Sequence, residues 1–527
     1  MNNQSTKDKD AISTNGMAAT SHPLATEEAI RILKKGGNAV DASIAASIVL
    51  SVVEPNATSI GGDCFAIVKM EGKESVSYNG SGIAPGELDY DFFNKNNLDK
   101  VGLTSPHSVT IPGALDAWKN IHNDFGKLDF GELFLKAIDC ARNGFKVTKV
   151  VANAWKKNEN KLLQDENSKK ILLKDGKSYN LSDIRKNVLL ADTLELISKK
   201  GISEFYSGSI ARDIISSLNK LGGLHTLDDF DKQTTIKSST ISSDYNENKI
   251  HQCPPNGPGI TVLIMMKLLE KLQIQNYNYN SIERFHLEAE VTKQAFKIKE
   301  ENIGDPNFVN LNLDKILSDT FIESIYKNIS INNCSEVGDL NIPNHPETVY
   351  LSVVDKDLNS VSMINSVCYA FGSGITTKDT GIVLHNRGTN FRVEIDHPNC
   401  IEGLKRPLHT IIPGLVEDNK GNAILNYGVM GGQYQPVGQV HVLNSILDFN
   451  MSPQQAISFP RAFHFNNIYK LEKEISKEIK DGLGKIGHNT EYIEETHGGG
   501  QAIKIDRKSG NLIGGSDPRK DGYAEGY

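Results

Sequence analysis

Several function classes are disfavoured by what this chain lacks. Its 57 basic and 65 acidic residues are interspersed and leave a net charge of −8. No basic field exists to hold phosphates, which argues against nucleic acid or an anionic membrane as a partner. No run of about 18 apolar residues occurs, so no membrane span is expected. The longest apolar-rich stretch, residues 39–53, is interrupted by Asp41, Ser43, Ser47 and Ser51. The first sixteen residues are polar and lack the apolar centre of a secretory signal. The six cysteines (Cys64, Cys140, Cys253, Cys334, Cys368, Cys400) stand singly, with no CxxC pair and no HExxH helix. Neither a disulfide framework nor a metal site is therefore expected, and a reduced, cytoplasmic setting fits best. GxGxxG after a strand, GxxxxGK[ST] and the GxSxG elbow are all missing, so neither a nucleotide cofactor nor a serine triad is signalled.

What is present is ordinary globular composition, 38% hydrophobic over 527 residues, enough chain to bury a large core. Residues 1–17 read as a flexible tail. The segment SHPLATEEAIRILKKGG then carries the punctuation of a helix, with Ser21 as cap, Pro23 early, and Gly36-Gly37 as the stop. Asn38, with Asp41 three residues on, opens a second helix lined by small residues. Residues 112–305 read as mostly helical, and 282–301 as a long, charged amphipathic helix. From about residue 345 the texture changes to strands: VYLSVVDKDLNSVSMIN alternates as two strands around a turn at 355–359. Further strand-like segments are 381–384, 410–415 and 423–427, with helices expected at 437–447 and 453–459. Helices flanking non-sequential strands suggest an α+β or layered architecture.

Two segments could carry chemistry. In YGVMGGQYQP, a strand runs into Gly431-Gly432 ahead of a helix. Paired glycines let consecutive N–H groups approach a ligand, as an oxyanion hole requires, although a tight strand-to-helix turn uses the same residues. In HPETVYLSVVD, Thr348 sits at the mouth of a strand after Glu347. It is either a plain strand start or a nucleophile. A threonine hydroxyl can attack the preceding carbonyl, and hydrolysis of the ester leaves a new N-terminus whose amine is a built-in general base.

The chain resembles the gamma-glutamyltransferase (gamma-glutamyltranspeptidase) family of N-terminal-nucleophile hydrolases. The resemblance rests on ATSHPLATEEAIRILKKGGNAVDASIAASIVLSVVEPNATSIGGDCF, HSVTIPGALDAW, PPNGPGITVL, TVYLSVVDKDLNSVS with FGSGI, KRPLHTIIPGLV, GVMGGQYQP, the arginine of FPRAFHF and GGSDPRKDGYAEGY, in family order from about residue 18 to the end. It implies an α+β fold, a four-layer αββα sandwich. It also implies cleavage between Glu347 and Thr348 into a large-subunit segment (18–347) and a small-subunit segment (348–527), which would be each other's partners in one catalytic domain. Thr348 matches the nucleophile, and Gly431 and Gly432 match the oxyanion pair. Asn365 matches an asparagine of the substrate head-group pocket. His409 and Thr410 match two positions that contact the substrate carboxylate, and Lys405 and Arg406 are expected to hold structure. The implied reaction is acyl transfer from a small-molecule amide without a cofactor; self-association into a homo-oligomer stays open.

The departures from the family pattern concern substrate recognition. Tyr90, in APGELDYDFF, falls where members handling glutathione carry an arginine for the substrate α-carboxylate. Asn390, in HNRGTNF, falls where an acidic residue holds the α-ammonium. Val349 replaces the threonine that usually follows the nucleophile, and the stretch from Phe391 to Lys405 is short for a lid. Arg387 stands where an uncharged residue is usual, and its planar fork suits a carboxylate, though a structural ion pair would explain it equally. This pattern resembles the divergent branch that includes oxamate amidohydrolases and some acylases. A decayed, non-catalytic scaffold is the remaining alternative.

Overall fold

The computed structural model describes residues 4, 6, 8–336, 338 and 347–527. Among these, two seven-stranded antiparallel sheets lie face to face. The first runs Ala524–Gly526, Met17–Ala19, Val349–Val354, Ser360–Ser366, Asp63–Lys69, Val76–Gly80, Ile236–Ser239. The second runs Ala11–Ser13, Asn511–Ser516, Gly499–Asp506, Ala423–Met430, Gly414–Asp418, Asn248–Gln252, Ile241–Tyr245. Helices Ala39–Val53 and Ala114–Phe125 pack on the first sheet, and Gly259–Lys271, Gln435–Leu447 and Pro453–Ser458 on the second. The result is the αββα sandwich.

The period-2 pattern of the central strand explains its place. Val349, Leu351 and Val353 point into the core shared with the helices, whereas Tyr350 and Val354 point into the core between the sheets. Both faces are buried, so the whole strand Val349–Val354 is apolar or internally satisfied. Tyr350 shares its hydroxyl with Ser352 Oγ at 2.7 Å and Ser362 Oγ at 2.9 Å. Its ring lies against Gly428 on the facing sheet, where a Cβ would come within 2.3 Å of it. Only glycine permits that approach.

Helix Ala39–Val53 is buried on every side, which its continuous small and apolar sequence allows. Asn38 caps it in a reciprocal capping box with Asp41, as expected. The first helix, Pro23–Lys35, is capped by His22 rather than Ser21. Ser21 instead donates to Glu54 at 2.5 Å.

The chain departs from expectation at five further places, the first being 410–415, where the strand begins only at Gly414 and runs Gly414–Asp418. Within 1–17, taken as a flexible tail, Ala11–Ser13 forms an edge strand on Asn511–Ser516, and Ala11 is fully buried. Three strands occupy residues 236–252 inside the stretch read as mostly helical. Residues 381–384 make single bridges, at Val383 and Leu384, rather than a strand. Helix Ile282–Asn302 exists, but it is not amphipathic towards solvent. Arg284, His286, Glu288, Glu290, Lys293 and Lys299 are all buried along it and satisfy one another and neighbouring elements, as in the Arg284–Glu288 pair at 2.9 Å.

Candidate active site

Three adjacent strands of the first sheet end together. Thr348 directly precedes Val349, which pairs with Asn365, and Ser366 pairs with Asp63. Thr348, Ser366 and Asp63 therefore stand side by side at one edge, all buried. Thr348 Oγ1 donates to the carbonyl oxygen of Glu347 at 2.6 Å. It also lies 3.3 Å from Ser366 Oγ, which is itself 3.2 Å from the Glu347 carbonyl oxygen. The Glu347 carboxylate accepts from Asn56 Nδ2 at 3.2 Å. The hydroxyl of Thr348 is thus held against the peptide group that precedes it.

A charged cluster backs this edge. Arg387, fully buried, donates from Nη1 to Thr410 Oγ1 at 2.9 Å and from Nη2 to Ser366 Oγ at 3.1 Å. Its Nε faces Asp63 Oδ2 at 3.8 Å. The same carboxylate oxygen meets His409 Nε2 at 3.0 Å and His385 Nδ1 at 3.3 Å. Burial would raise the Asp63 carboxyl, but His385 and His409 outweigh it and hold it well below the usual carboxylate range. Burial, reinforced by Arg387, pushes His409 down to about 3. Asp63 is therefore an anion and His409 a neutral donor at neutral pH, and Arg387 carries the compensating positive charge.

The second sheet supplies the glycines. Ala423–Met430 ends at Gly431, with φ 130°, and Gly432, with φ 57°. Both lie in the left-handed half of backbone space, where side chains are disfavoured. A Cβ on Gly431 would also stand 2.9 Å from Gly498 Cα. A short turn, Gly432–Tyr434, leads into helix Gln435–Leu447. Gln435 connects the glycine turn to the first sheet: its Nε2 donates to Thr348 Oγ1 at 3.4 Å, and its Oε1 accepts from Ile412 N at 3.1 Å. Behind the turn, Arg461 donates to the His497 carbonyl at 2.8 Å and pairs with Asp517 at 2.7 Å. Asp517 in turn accepts from Gly500 N at 2.7 Å.

Not every expected site residue joins this cluster. Thr348, Arg387, His409 and Thr410 are brought together, and Gln435 ties the Gly431-Gly432 turn to them. Asn365 points the other way: its side chain accepts from Trp118 Nε1 at 3.0 Å and donates to Ser47 at 3.1 Å, in the layer between sheet and helices. The cause is strand alternation, since Asn365 precedes Ser366 and must face the opposite side. Tyr90 lines a surface depression with Phe308, His397 and Lys405 that includes neither Thr348 nor Arg387. Asn390 donates to the Leu408 carbonyl at 2.9 Å, and its buried Oδ1 has no partner among the described residues. Arg406 is structural, donating to the Thr234 carbonyl at 2.6 Å. Ser366, Asp63, His385 and Gln435 were not anticipated. The hairpin register 349–366 carried a signal for Ser366; nothing local marks Asp63 or His385.

The family model for gamma-glutamyltranspeptidase matches residues 25–527. The chain belongs to the gamma-glutamyltranspeptidase family. It is 34% identical to the glutathione hydrolase-like YwrD proenzyme of Bacillus subtilis, over 98% of this chain and 99% of that one. It is 27% identical to the oxamate amidohydrolase proenzyme of Klebsiella pneumoniae, over 98% and 99%. The crystal structure of cephalosporin acylase from Bacillus halodurans superposes with a TM-score of 0.93 at 32% identity, covering 99% of this chain and 98% of that one. The protein is thus a gamma-glutamyltranspeptidase-family enzyme, of a class of hydrolases and acyltransferases. Its sandwich is the N-terminal-nucleophile hydrolase fold.

Proposed function

We propose that this chain is a proenzyme that cuts itself between Glu347 and Thr348 and then uses Thr348 as an N-terminal nucleophile on a small amide. The observation that carries this is the Thr348 hydroxyl, 2.6 Å from the Glu347 carbonyl oxygen in a buried site. In the first stage Oγ1 adds to the Glu347 carbonyl carbon. The C–N bond breaks as the nitrogen takes the hydroxyl proton, and an ester forms. Water hydrolyses the ester, leaving a carboxylate on Glu347 and a free amine on Thr348. In the second stage that amine takes the Oγ1 proton while Oγ1 attacks the substrate carbonyl. The N–H groups of Gly431 and Gly432 stabilise the tetrahedral oxyanion. The leaving amine departs protonated, and water or an acceptor amine releases the acyl group.

The substrate class follows from the charges available. Tyr90 and Asn390 offer no charge for a glutamyl head group, and Tyr90 lines a separate depression. Arg387 lies next to the nucleophile through Ser366, which favours a carboxylate close to the scissile carbonyl, as in oxamate, over a distant glutamyl α-carboxylate. Glutathione-type hydrolysis is the second reading, supported by the kinship with glutathione hydrolase-like proteins.

Two measurements test the proposal. Wild-type protein should resolve into two fragments, the smaller beginning Thr-Val-Tyr, and Thr348→Ala should stay a single chain. A fully active protein that is never cut would remove the mechanism. For substrate class, kcat/KM for oxamate should exceed that for a gamma-glutamyl anilide, and Arg387→Gln should erase the difference. Efficient glutamyl transfer untouched by that substitution would restore the second reading.

A further inference from the structure

A second cluster of chemically capable side chains lies outside the Thr348 site. His286 and Glu290 are one helical turn apart on Ile282–Asn302, so both project from one face. His488, just beyond helix Lys477–Lys485, meets them. One ligand atom from each of the three lies within 4.8 Å of the others, and all three residues are buried. His286 Nδ1 stands 2.8 Å from His488 Nε2.

The hydrogen bonds fix the proton positions. His286 Nε2 lies 2.8 Å from the Ser330 carbonyl oxygen, which can only accept. The proton of neutral His286 is therefore on Nε2, and the Nδ1 lone pair faces the cluster. A ring nitrogen bonded to a backbone carbonyl behind a free one in front is the arrangement that orients metal-ligating histidines. His488 is buried beside it. Its other nitrogen, Nδ1, faces Cys334 Sγ at 3.6 Å. The proton that Nε2 now shares with His286 can reside on Nδ1 instead, pointing at the sulfur, while the thiol hydrogen points to the Ser335 carbonyl oxygen at 3.5 Å. That tautomer frees a second lone pair with no net proton change.

We propose that His286 Nδ1, His488 Nε2 and a Glu290 carboxylate oxygen form a site for a zinc-class divalent transition metal. Two imidazoles and a carboxylate are a borderline-soft set suited to such an ion. Tetrahedral zinc with Zn–N of about 2.0 Å needs the two nitrogens roughly 3.3 Å apart. The present spacing has only to open slightly. Glu290 is held by Lys293 Nζ at 2.6 Å on Oε1 and by Ser335 N at 3.1 Å on Oε2. Lys293 has two further partners, Cys334 Sγ and the Ser335 carbonyl oxygen, both at 2.9 Å. It stays satisfied when Oε1 turns to the ion. Its nearby charge weakens the site relative to a fully anionic one and so favours a reversible ion over a permanent one.

The position gives the site a role. His286 and Glu290 precede residue 347, His488 follows it, and Cys334 N is bonded to the Ile486 carbonyl at 2.8 Å. An ion here pins helix Ile282–Asn302 to His488 in the C-terminal part of the fold, and would hold two polypeptides together once the chain is cut. The site itself does not depend on that cut.

The test uses the full-length protein, stripped with a chelator, dialysed, and equilibrated with a defined concentration of free Zn²⁺ alone, the bound metal being counted by equilibrium dialysis. Wild type should retain about one equivalent and gain thermal stability on loading. Co²⁺ should show the visible absorption of a tetrahedral N/O site. His488→Gln and Glu290→Gln should each bind at least about tenfold more weakly. The proposal is overturned if wild type retains less than about half an equivalent, or if both variants retain as much as wild type. The wild-type measurement decides even if a variant fails to fold.

Discussion

Gly432→Val separates an oxyanion hole from a simple turn, because the two readings differ in which quantity suffers. At φ 57° a side chain costs about 1–2 kcal/mol for left-handed geometry, and a β-branched one falls at the upper end. Stability should drop by roughly that amount, a few degrees in Tm for a chain of this size. Turnover should drop much further. Relief of the strain swings the Gly432 N–H away from the point where charge develops, and losing one such donor typically costs about 10²–10³ in kcat. KM should move little, since the donor acts on the transition state. Processing at Glu347–Thr348 should slow as well, because it passes through a similar tetrahedral oxyanion. Gly432→Ala, with a smaller side chain, should lie between the variant and wild type in both respects. The assay is paired: thermal unfolding, and kcat for amide hydrolysis normalised to the processed fraction on a gel. Wild-type turnover with normal processing in Gly432→Val would refute the oxyanion role and leave these glycines as turn residues.

Ser366→Ala removes the hydroxyl that touches Thr348, the Glu347 carbonyl and Arg387 together; a processing rate slower by about tenfold or more, followed by gel densitometry, is expected from one lost hydrogen bond and an unpaired guanidinium N–H. Stripping the protein of metal should lower its thermal midpoint without changing the turnover of processed enzyme, because the proposed base is the Thr348 amine; a rate lost to chelator and restored by zinc would contradict this. The fold should be acid-sensitive at helix Ile282–Asn302. Burial opposes ionisation of Glu288, yet His441 and Arg284 hold it at about 2. A depressed carboxyl contributes stability that is complete above its ordinary value near 4.5 and lost as pH falls towards 2, roughly 3 kcal/mol in all. Wild-type unfolding free energy should decline steeply from pH 5 to pH 2, and Glu288→Gln should flatten that decline; equal slopes would remove Glu288 as the cause.

Local and periodic features were legible without the fold. Asn38 and Asp41 announced a capping box, the alternation of 349–354 announced a strand, and ordered glycine and threonine motifs announced the family. The first two signals depend only on neighbours in the chain, through hydrogen bonds and side-chain directions that repeat every 2 or 3.6 residues; the third is a resemblance carried by motif order. What the sequence could not settle was which distant residues share a site. Asn365 and Ser366 are adjacent, yet one faces Trp118 and the other Thr348, and hairpin register decides between them. Arg387 read equally as a carboxylate binder or an ion-pair partner; packing places it among Asp63, Ser366 and Thr410, one hydroxyl away from Thr348. Asp63, His385 and His409 meet because three separated segments converge on one sheet edge, and His286, Glu290 and His488 meet because a helix and a loop some 200 residues apart pack together. A charge that reads as solvated on a helical wheel becomes a buried partner when another layer covers it, since burial makes its pairing obligatory. Chain-local physics thus determined many of the elements, the family resemblance marked the candidate nucleophile, and only tertiary packing decided the company that the nucleophile keeps.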